Sequence, residues 1–309
     1  MKLQPRYRLT SDSRLLMGTL VSIQVVGNEE LNAIENAIEK AFAAMSFVES
    51  MCSRFDEHSA IRELCRHPGE WMKVPDVLFE TLRLALTMSE LTDGKFDPTI
   101  GNLLERHGFN THYLSGDALE AYPMTGEKVS FRDVKLDEDT RSVYLQKPLL
   151  LDLGAVAKGF AVDLAAKELS LFDGFVINAG GDLYLHGCDP NGENWTVGIQ
   201  HPQEKEEMIA WLKITNAAVC TSGTYERRSP LNQEIHHLIN PSTGKSTQGL
   251  LSCTVIAPFT MLADAVSTAA FILGKNHALD FVNEVELDAL CIDDSLEITM
   301  TDAMERYLR

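Results

Sequence analysis

Two carboxylates, a lysine and a threonine stand at spacings that suit work on a phosphate. In Ala263-Asp264-Ala265-Val266-Ser267-Thr268, Asp264 and Thr268 are four residues apart and share one face of a helix. Their neighbours are small or apolar, so carboxylate and hydroxyl both need a partner. A hard cation such as Mg²⁺ takes oxygen ligands and satisfies both. Backbone hydrogen bonds to Asp264, with Thr268 bonding back to the preceding turn, satisfy them equally. In Leu151-Asp152-Leu153-Gly154-Ala155-Val156-Ala157-Lys158-Gly159 a strand gives way to a glycine turn and then a helix. Free N–H groups and the helix dipole favour an anion at such a turn, and Lys158 adds a point charge for phosphate. Asp152 can orient a ligand or cap the helix.

Three further segments carry chemistry. His236-His237-Leu238-Ile239-Asn240-Pro241-Ser242-Thr243-Gly244 sets two histidines beside a tight loop, where one can shuttle a proton or hold a phosphate. No HxxxH or HExxH pattern accompanies them, which argues against zinc. Thr221-Ser222-Gly223-Thr224-Tyr225-Glu226-Arg227-Arg228 combines hydroxyls with two arginines. In Lys95-Phe96-Asp97-Pro98, Asp97 is held extended before proline and can present its carboxylate to a ligand. Each segment also reads as ordinary turn or surface chemistry.

These groups need elements to position them. Thr19 to Gly27 alternates as a strand, and residues 30 to 51 carry Leu31, Ile34, Ile38, Phe42, Met45 and Val48 at helical spacing. A second helix runs from about Asp76, as N-cap, to Leu91. Val134–Leu136 and Val143–Leu145 flank a turn as a hairpin. Leu149 to Leu153 reads as a buried strand, followed by a helix over roughly Val156 to Leu171. Phe175 to Leu185 reads as one strand carrying Gly180-Gly181. Trp195 to Ile199 and Met208 to Ile214 read as strands. Helices run from Met261 to Leu273, stopped by Gly274, and from near Asn276 to Glu284. Strands near Leu290–Ile292 and Glu297–Thr299 follow. Mixed order without strict alternation predicts an α+β fold in a single unit over residues 1–309, with a possible lobe junction near 110–128.

Composition narrows the partners. The chain has 309 residues, 45 acidic against 27 basic, for a net charge of -18. That balance repels nucleic acid and anionic membrane, and any phosphate-bearing ligand needs a local cation or helix N-terminus. The six dispersed cysteines form no CxxC pair and read as reduced thiols. The first residues lack the apolar core of a signal peptide, and no run is long enough to span a membrane. The expectation is a cytoplasmic protein, or an exported or periplasmic one if a signal has been removed.

Taken in order, the motifs resemble the ApbE family, the FAD:protein FMN transferases. The resemblance runs from Met17-Gly18-Thr19 through Phe96-Asp97-Pro98-Thr99, Asp152-Leu153-Gly154 with Lys158-Gly159, and Asn178-Ala179-Gly180-Gly181-Asp182. It continues through Thr221-Ser222-Gly223, His237 with Pro241 and Thr243-Gly244, and ends at Asp264, Thr268 and Gly274. It implies a T-fold-like unit with flavin in a cleft between two lobes. It implies Mg²⁺ held by Ala155, Asp264 and Thr268, and FAD held by Met17, Phe55, Lys95, Phe96, Asp97, Asp152 and Lys158. It implies catalytic roles for His237 and Lys158. Phe55 stands where the family often carries Tyr, Cys65 where it has Asn, Asn240 where it has Asp and His107 where it has Trp. The implied reaction is Mg-dependent transfer of FMN from FAD to a Thr or Ser hydroxyl of a flavin-dependent redox protein, releasing AMP. The alternatives are an FAD pyrophosphatase giving FMN and AMP, or a flavin-binding protein without turnover.

Overall fold

A computed structural model describes residues 7–112, 116, 128–225 and 227–309. Its backbone is one eight-stranded sheet: β1 (Arg8–Leu16), β2 (Thr19–Gly27), β3 (Gly174–Ala179), β4 (Asp182–Gly187), β5 (Ala217–Gly223), β6 (Leu250–Ala257), β7 (Asp288–Asp293) and β8 (Ile298–Met300). Each strand pairs antiparallel with the one before it, so spatial order is chain order. Apart from a 3-10 turn at Asp302–Tyr307 after the last strand, the remaining elements are inserted between neighbouring strands. Two of the connections are two-residue turns. Met17 and Gly18 have φ of 54° and 76°, and Gly180 and Gly181 have 64° and 98°. Positive φ at both central residues matches the twist of a hairpin. Met17 does so without a glycine's freedom, a strained backbone of the kind found at functional positions.

One face of the sheet is covered by helices α1 (Leu31–Cys52), α3 (Ala157–Leu169) and α4 (Thr260–Leu273). Val21, Ile23 and Val25 point into that layer, against Ile34, Phe42 and Met45 of α1. Helix α4 is buried all round, from Ala263 at 0% exposure through Ile272 at 6%, which is why its sequence has no charged solvent-facing stripe and its polar groups, Asp264, Ser267 and Thr268, face the protein. Small residues let α3 and α4 come close: a Cβ on Gly159 would meet the Thr260 carbonyl oxygen at 2.5 Å. The Asp163 carboxylate of α3 accepts the Thr260 and Met261 N–H groups at 2.7 and 2.9 Å, satisfying donors at the start of α4. On the other face a hairpin, Trp195–Gln200 with Met208–Ile214, packs Trp195, Val197 and Leu212 against Val26, Leu185 and Val219. A small sheet of Trp71–Lys73, Ser142–Leu145 and Val134–Asp137 sits with α2 (Asp76–Leu91), and Leu78, Phe79 and Val143 join the same buried cluster as α1.

The structure corrects several expectations. Leu149–Leu153 is buried but is not a strand. Its polar groups are met singly: Asp152 N–H donates to Pro98 O at 2.8 Å, and Leu150 N–H to Asn102 Oδ1 at 3.1 Å. Phe175–Leu185 is two strands, because Gly180-Gly181 turns the chain back. Asp76 is the first helical residue and Pro75 the cap. Strands β1, β5 and β6 are additional to the expected elements: β1 is an exposed edge with polar residues on both faces, and β6 is too evenly buried to alternate. Most of the junction expected near 110–128 lies outside the described residues. None of the six cysteines is in a disulfide, and burial pushes the Cys65 thiol up to about 11 and Cys52 up to about 12. Among the described residues no helix is long and apolar enough to cross a membrane.

Candidate functional site

Four elements bring the phosphate-suited groups together. Lys158, on the first turn of α3, forms an ion pair with Asp182 at the start of β4 and donates to Asp264 Oδ2 of α4 at 3.2 Å. Asp182 and Asp264 are 4% and 3% exposed. Burial works against the Lys158 ammonium, but the two carboxylates outweigh it and raise its proton affinity. For Asp264, burial and then the Asp182 charge raise the carboxyl well above its usual range, against the pull of Lys158. Gly159 N–H, at the helix start, donates to Asp264 Oδ2 at 3.2 Å. The anion position expected at this helix N-terminus is therefore filled by the protein's own carboxylate. Lys158 is not a solvated charge waiting for phosphate; it is shared between two acids.

Thr268 does not bond back to its own helix turn. Its Oγ1 lies 2.9 Å from Ser222 Oγ of β5, which lies 2.9 Å from Ser267 Oγ. The Ser267 hydroxyl donates to the Asp264 carbonyl at 3.0 Å. Each hydroxyl has a single proton, so one assignment satisfies all three contacts: Thr268 donates to Ser222, Ser222 to Ser267, Ser267 to the backbone. That chain spends the Thr268 proton inward and leaves its oxygen lone pairs free.

This is the fit expected for a hard divalent cation. Two acids share one base in a buried centre, so one negative charge is in excess, and the hydroxyl beside them is held as an acceptor. Among the described residues no three His, Cys, Asp or Glu side chains converge as a metal cluster. A cation here would draw on carboxylate, hydroxyl and carbonyl oxygens and complete its shell from substrate phosphate and water, which suits Mg²⁺. Asp264 and Thr268 would be its side-chain ligands. Ala155 lies in the turn leading into α3.

The residues expected around flavin lie on adjoining segments. Asp152 does not cap α3, whose N-cap is Val156; it pairs with Arg54 and accepts Gly154 N–H at 2.9 Å. Burial pushes its carboxyl up, but the Arg54 charge and the Gly154 hydrogen bond bring it below the usual range. The Arg54 guanidinium also sits 4.1 Å over the Phe55 ring and donates to the Phe109 carbonyl. Asp97 has both oxygens engaged: Thr99 N–H and hydroxyl donate to Oδ1 at 2.8 and 2.7 Å, and Phe131 N–H to Oδ2 at 3.0 Å. It holds its loop together rather than offering a free carboxylate, and burial raises its proton affinity. Phe96 is buried behind it, Lys95 is exposed, and Met17 packs partly buried in the β1–β2 turn.

The two histidines separate. His236 is buried, with Nε2 2.9 Å from Thr247 O and its ring edge-on to Phe271, and serves the core. His237 is half-buried. Desolvation, then the Arg227 charge, lower it to about 3, and the Lys158 charge contributes. Its Nδ1 lies 3.4 Å from Arg227 O; a carbonyl only accepts, so Nδ1 carries the proton and Nε2 the lone pair. His237 is thus a neutral imidazole with a free Nε2 lone pair, held weakly basic by desolvation and the nearby cations, within electrostatic reach of Lys158.

The structure adds Arg54 and Asp182 to the site and singles out Ser222 and Arg227 from the hydroxyl- and arginine-bearing segment. Asp182 carried a signal, an acid directly after Gly-Gly at a strand start. Ser222 stood in the hydroxyl-rich Thr221-Ser222-Gly223 run. Nothing local marks Arg54.

Comparison with known proteins shows what the whole chain is similar to. The model of the ApbE family matches residues 17–291. The FAD:protein FMN transferase of Klebsiella pneumoniae (strain 342) is 28% identical over 280 residues, covering 87% of this chain and 79% of that protein. The protein of that name from Escherichia coli (strain K12) is 27% identical over 307 residues, covering 94% and 87%. The crystal structure of the ApbE protein from Thermotoga maritima superposes with a TM-score of 0.85 at 28% identity, covering 98% of this chain and all of that one. The apo flavinyl transferase of Pseudomonas stutzeri shares the fold, with a TM-score of 0.80 at 23% identity over the full length of both chains.

Proposed function

The chain belongs to the ApbE family, and on that premise we propose that it is a flavin transferase that moves FMN from FAD to a Thr or Ser hydroxyl of a target flavoprotein, with Mg²⁺ as its cofactor. FAD is the flavin donor. The acceptor oxygen forms a bond to the phosphorus next to riboflavin. The bond from that phosphorus to the bridging oxygen breaks, and AMP leaves with it. The hydroxyl proton would pass to His237 Nε2, whose proton affinity, lowered by desolvation and by the Arg227 and Lys158 charges, rises once an anionic substrate offsets those charges. Little covalent work falls to the protein, so positioning and charge dominate. Mg²⁺, where bound, supplies neutralisation of the charge that develops on the transferring phosphoryl group.

The observation that carries this reading is Lys158 shared between Asp182 and Asp264, with the Thr268 hydroxyl held as an acceptor beside it. The excess negative charge of that centre would hold Mg²⁺, and the bound ion would give a chain of net charge -18 the local cation it requires to approach a diphosphate. Asp152, Arg54 and Phe55, joined by the Arg54 guanidinium, would take the flavin half. The deciding experiment is mass spectrometry of a candidate redox subunit after incubation with this protein, FAD and Mg²⁺. A mass gain equal to FMN on one Thr or Ser is expected. AMP release without protein labelling would assign the site to FAD hydrolysis, and FAD retention without AMP to a binding protein.

A further inference from the structure

The face of the sheet opposite the helices carries a second recess, of about 580 Å³, between the sheet and the Trp195–Gln200 hairpin strand. Ser22, Gln24, Asn178 and Thr221 point into it, alternating along their strands with residues that face the helices. Three features describe its occupant. First, none of the described residues lining it is Asp, Glu, Lys, Arg or His, although the chain is 23% charged. Its polar groups are amides and hydroxyls, with apolar surface between them. A diphosphate finds no cation there; an uncharged ligand finds donors and acceptors. Second, Trp195–Gln200 pairs with Met208–Ile214 on one side and with no strand among the described residues on the other. It lines the recess along its whole length. An unpaired strand edge is a template for an extended chain, with backbone hydrogen bonds supplying affinity. Third, the recess runs up to residues that adjoin the site in the chain. It reaches Gly180 and Gly181, and the next residue, Asp182, holds Lys158. Thr221 faces the recess while Ser222, next in the chain, bonds Thr268 on the other side of the sheet. A Cβ built on Gly181 meets nothing within 4 Å, so a passing chain is not obstructed there.

We propose that this recess receives the acceptor protein: an extended, uncharged segment adjoining the modified Ser or Thr lies along Trp195–Gln200 and passes the Gly180-Gly181 turn to deliver its hydroxyl to the centre. The inference rests on the flavin-transfer reading above and names the partner surface for it. It separates the two substrates by charge, with the anionic diphosphate on the helical face and the neutral polypeptide on the open face.

Two substitutions remote from Lys158 and Asp264 test it, Gln24→Lys and Thr196→Lys, each adding a charge to the recess. FMN transfer to an acceptor subunit, FAD affinity, oligomeric state and AMP release without acceptor are measured for each variant and the wild type. The expected result is a rise of about tenfold or more in the KM for acceptor, from burying an unpaired charge against a neutral segment. FAD affinity and acceptor-free AMP release stay unchanged. A capped hexapeptide of Ala, Gly, Ser and Thr competes with the acceptor, and one of equal length carrying two lysines competes no better against wild type. Unchanged acceptor KM in both variants overturns the inference, as does loss of FAD affinity, which would place the flavin ring there. A wild-type dimer that the variants dissociate would assign the recess to a second copy. Failure of the wild type to label any protein overturns the flavin-transfer reading itself, and the inference with it.

Discussion

Replacing Arg54 by methionine removes the partner of a buried acid and keeps most of the side-chain volume. Arg54 is 4% exposed and serves Asp152, the Phe109 carbonyl and the Phe55 ring together. Breaking a buried pair by deleting one member costs about 3–5 kcal/mol, because the remaining charge stays buried and unpaired. Loss of the ring contact is worth about 0.5–2 kcal/mol at most and lies within that figure. Against a typical total of about 5–15 kcal/mol the loss is large but leaves a folded protein. Urea unfolding followed by tryptophan fluorescence measures it. The pH dependence gives an independent check. With Arg54 present the Asp152 carboxyl is lowered, so its contribution is complete above the ordinary aspartate pKa of about 3.9 and fades only as pH falls below it. Without Arg54 burial raises the folded carboxyl above its unfolded value. The variant's deficit is then full at neutral pH and shrinks as pH falls towards that raised value. Adding Asp152→Asn to Arg54→Met removes the orphaned charge and recovers part of the stability. A deficit under about 1 kcal/mol at pH 7, set against the 3–5 expected for a buried pair, would refute the reasoning. So would a double variant no more stable than Arg54→Met alone.

Other outcomes follow from the same geometry. Asp264→Asn abolishes flavin transfer but leaves the metal-free protein at least as resistant to urea, because it removes the excess buried negative charge; a marked loss of stability would contradict this. Ser222→Ala frees the Thr268 proton and raises the Mg²⁺ concentration for half-maximal turnover by about 10–100-fold, the usual effect of deleting a partner that orients a ligand. His237→Gln lowers turnover by about 10²–10⁴-fold with FAD affinity retained, as expected for loss of a proton acceptor. The wild-type histidine is lowered to about 3 when folded, so below about pH 6.5 the unfolded chain binds a proton that the folded one does not. The variant therefore loses less stability between pH 7 and pH 4. Gly159→Ala drives a methyl into the Thr260 carbonyl, 2.5 Å from the new carbon, and costs about 1–3 kcal/mol by forcing α3 and α4 apart; a neutral effect would mean that the helices can slide.

What could be read from the chain was local. The 3.6-residue period of Ile34, Ile38, Phe42 and Met45 marks α1, and the spacing of Asp264 and Thr268 puts them on one face of α4. What could not be read depended on residues far away. Leu149–Leu153 has the composition of a buried strand, and only the approach of Pro98, Gly101 and Asn102 gives its backbone another set of partners. Gly180-Gly181 could have been a bulge or a turn, and pairing of Val176 with Leu185 decides for the turn. Lys158 was legible as a cation near a helix start. Its division between Asp182 and Asp264 required the registers of β4 and α4, which no local pattern encodes. Asp97 shows the converse: a proline-held acid looks poised for a ligand until Thr99 and Phe131 are seen to occupy it.

The order of strands in the large sheet also sets the order in which the molecule can assemble. The first hairpin, Arg8–Gly27, leaves the ribosome early, but the strand that flanks β2 begins only at Gly174. Until residues 28–173 have been made, the β2 edge has no lawful neighbour and stays open to mispairing. Closing so long a loop adds little to the equilibrium cost, because that cost grows only with the logarithm of length. It weighs instead on the rate, since distant contacts must form before they reward the chain. Refolding should therefore proceed with α1 docking early against the hairpin's inner face, and the meander zipping from Gly174 onward as the slow event.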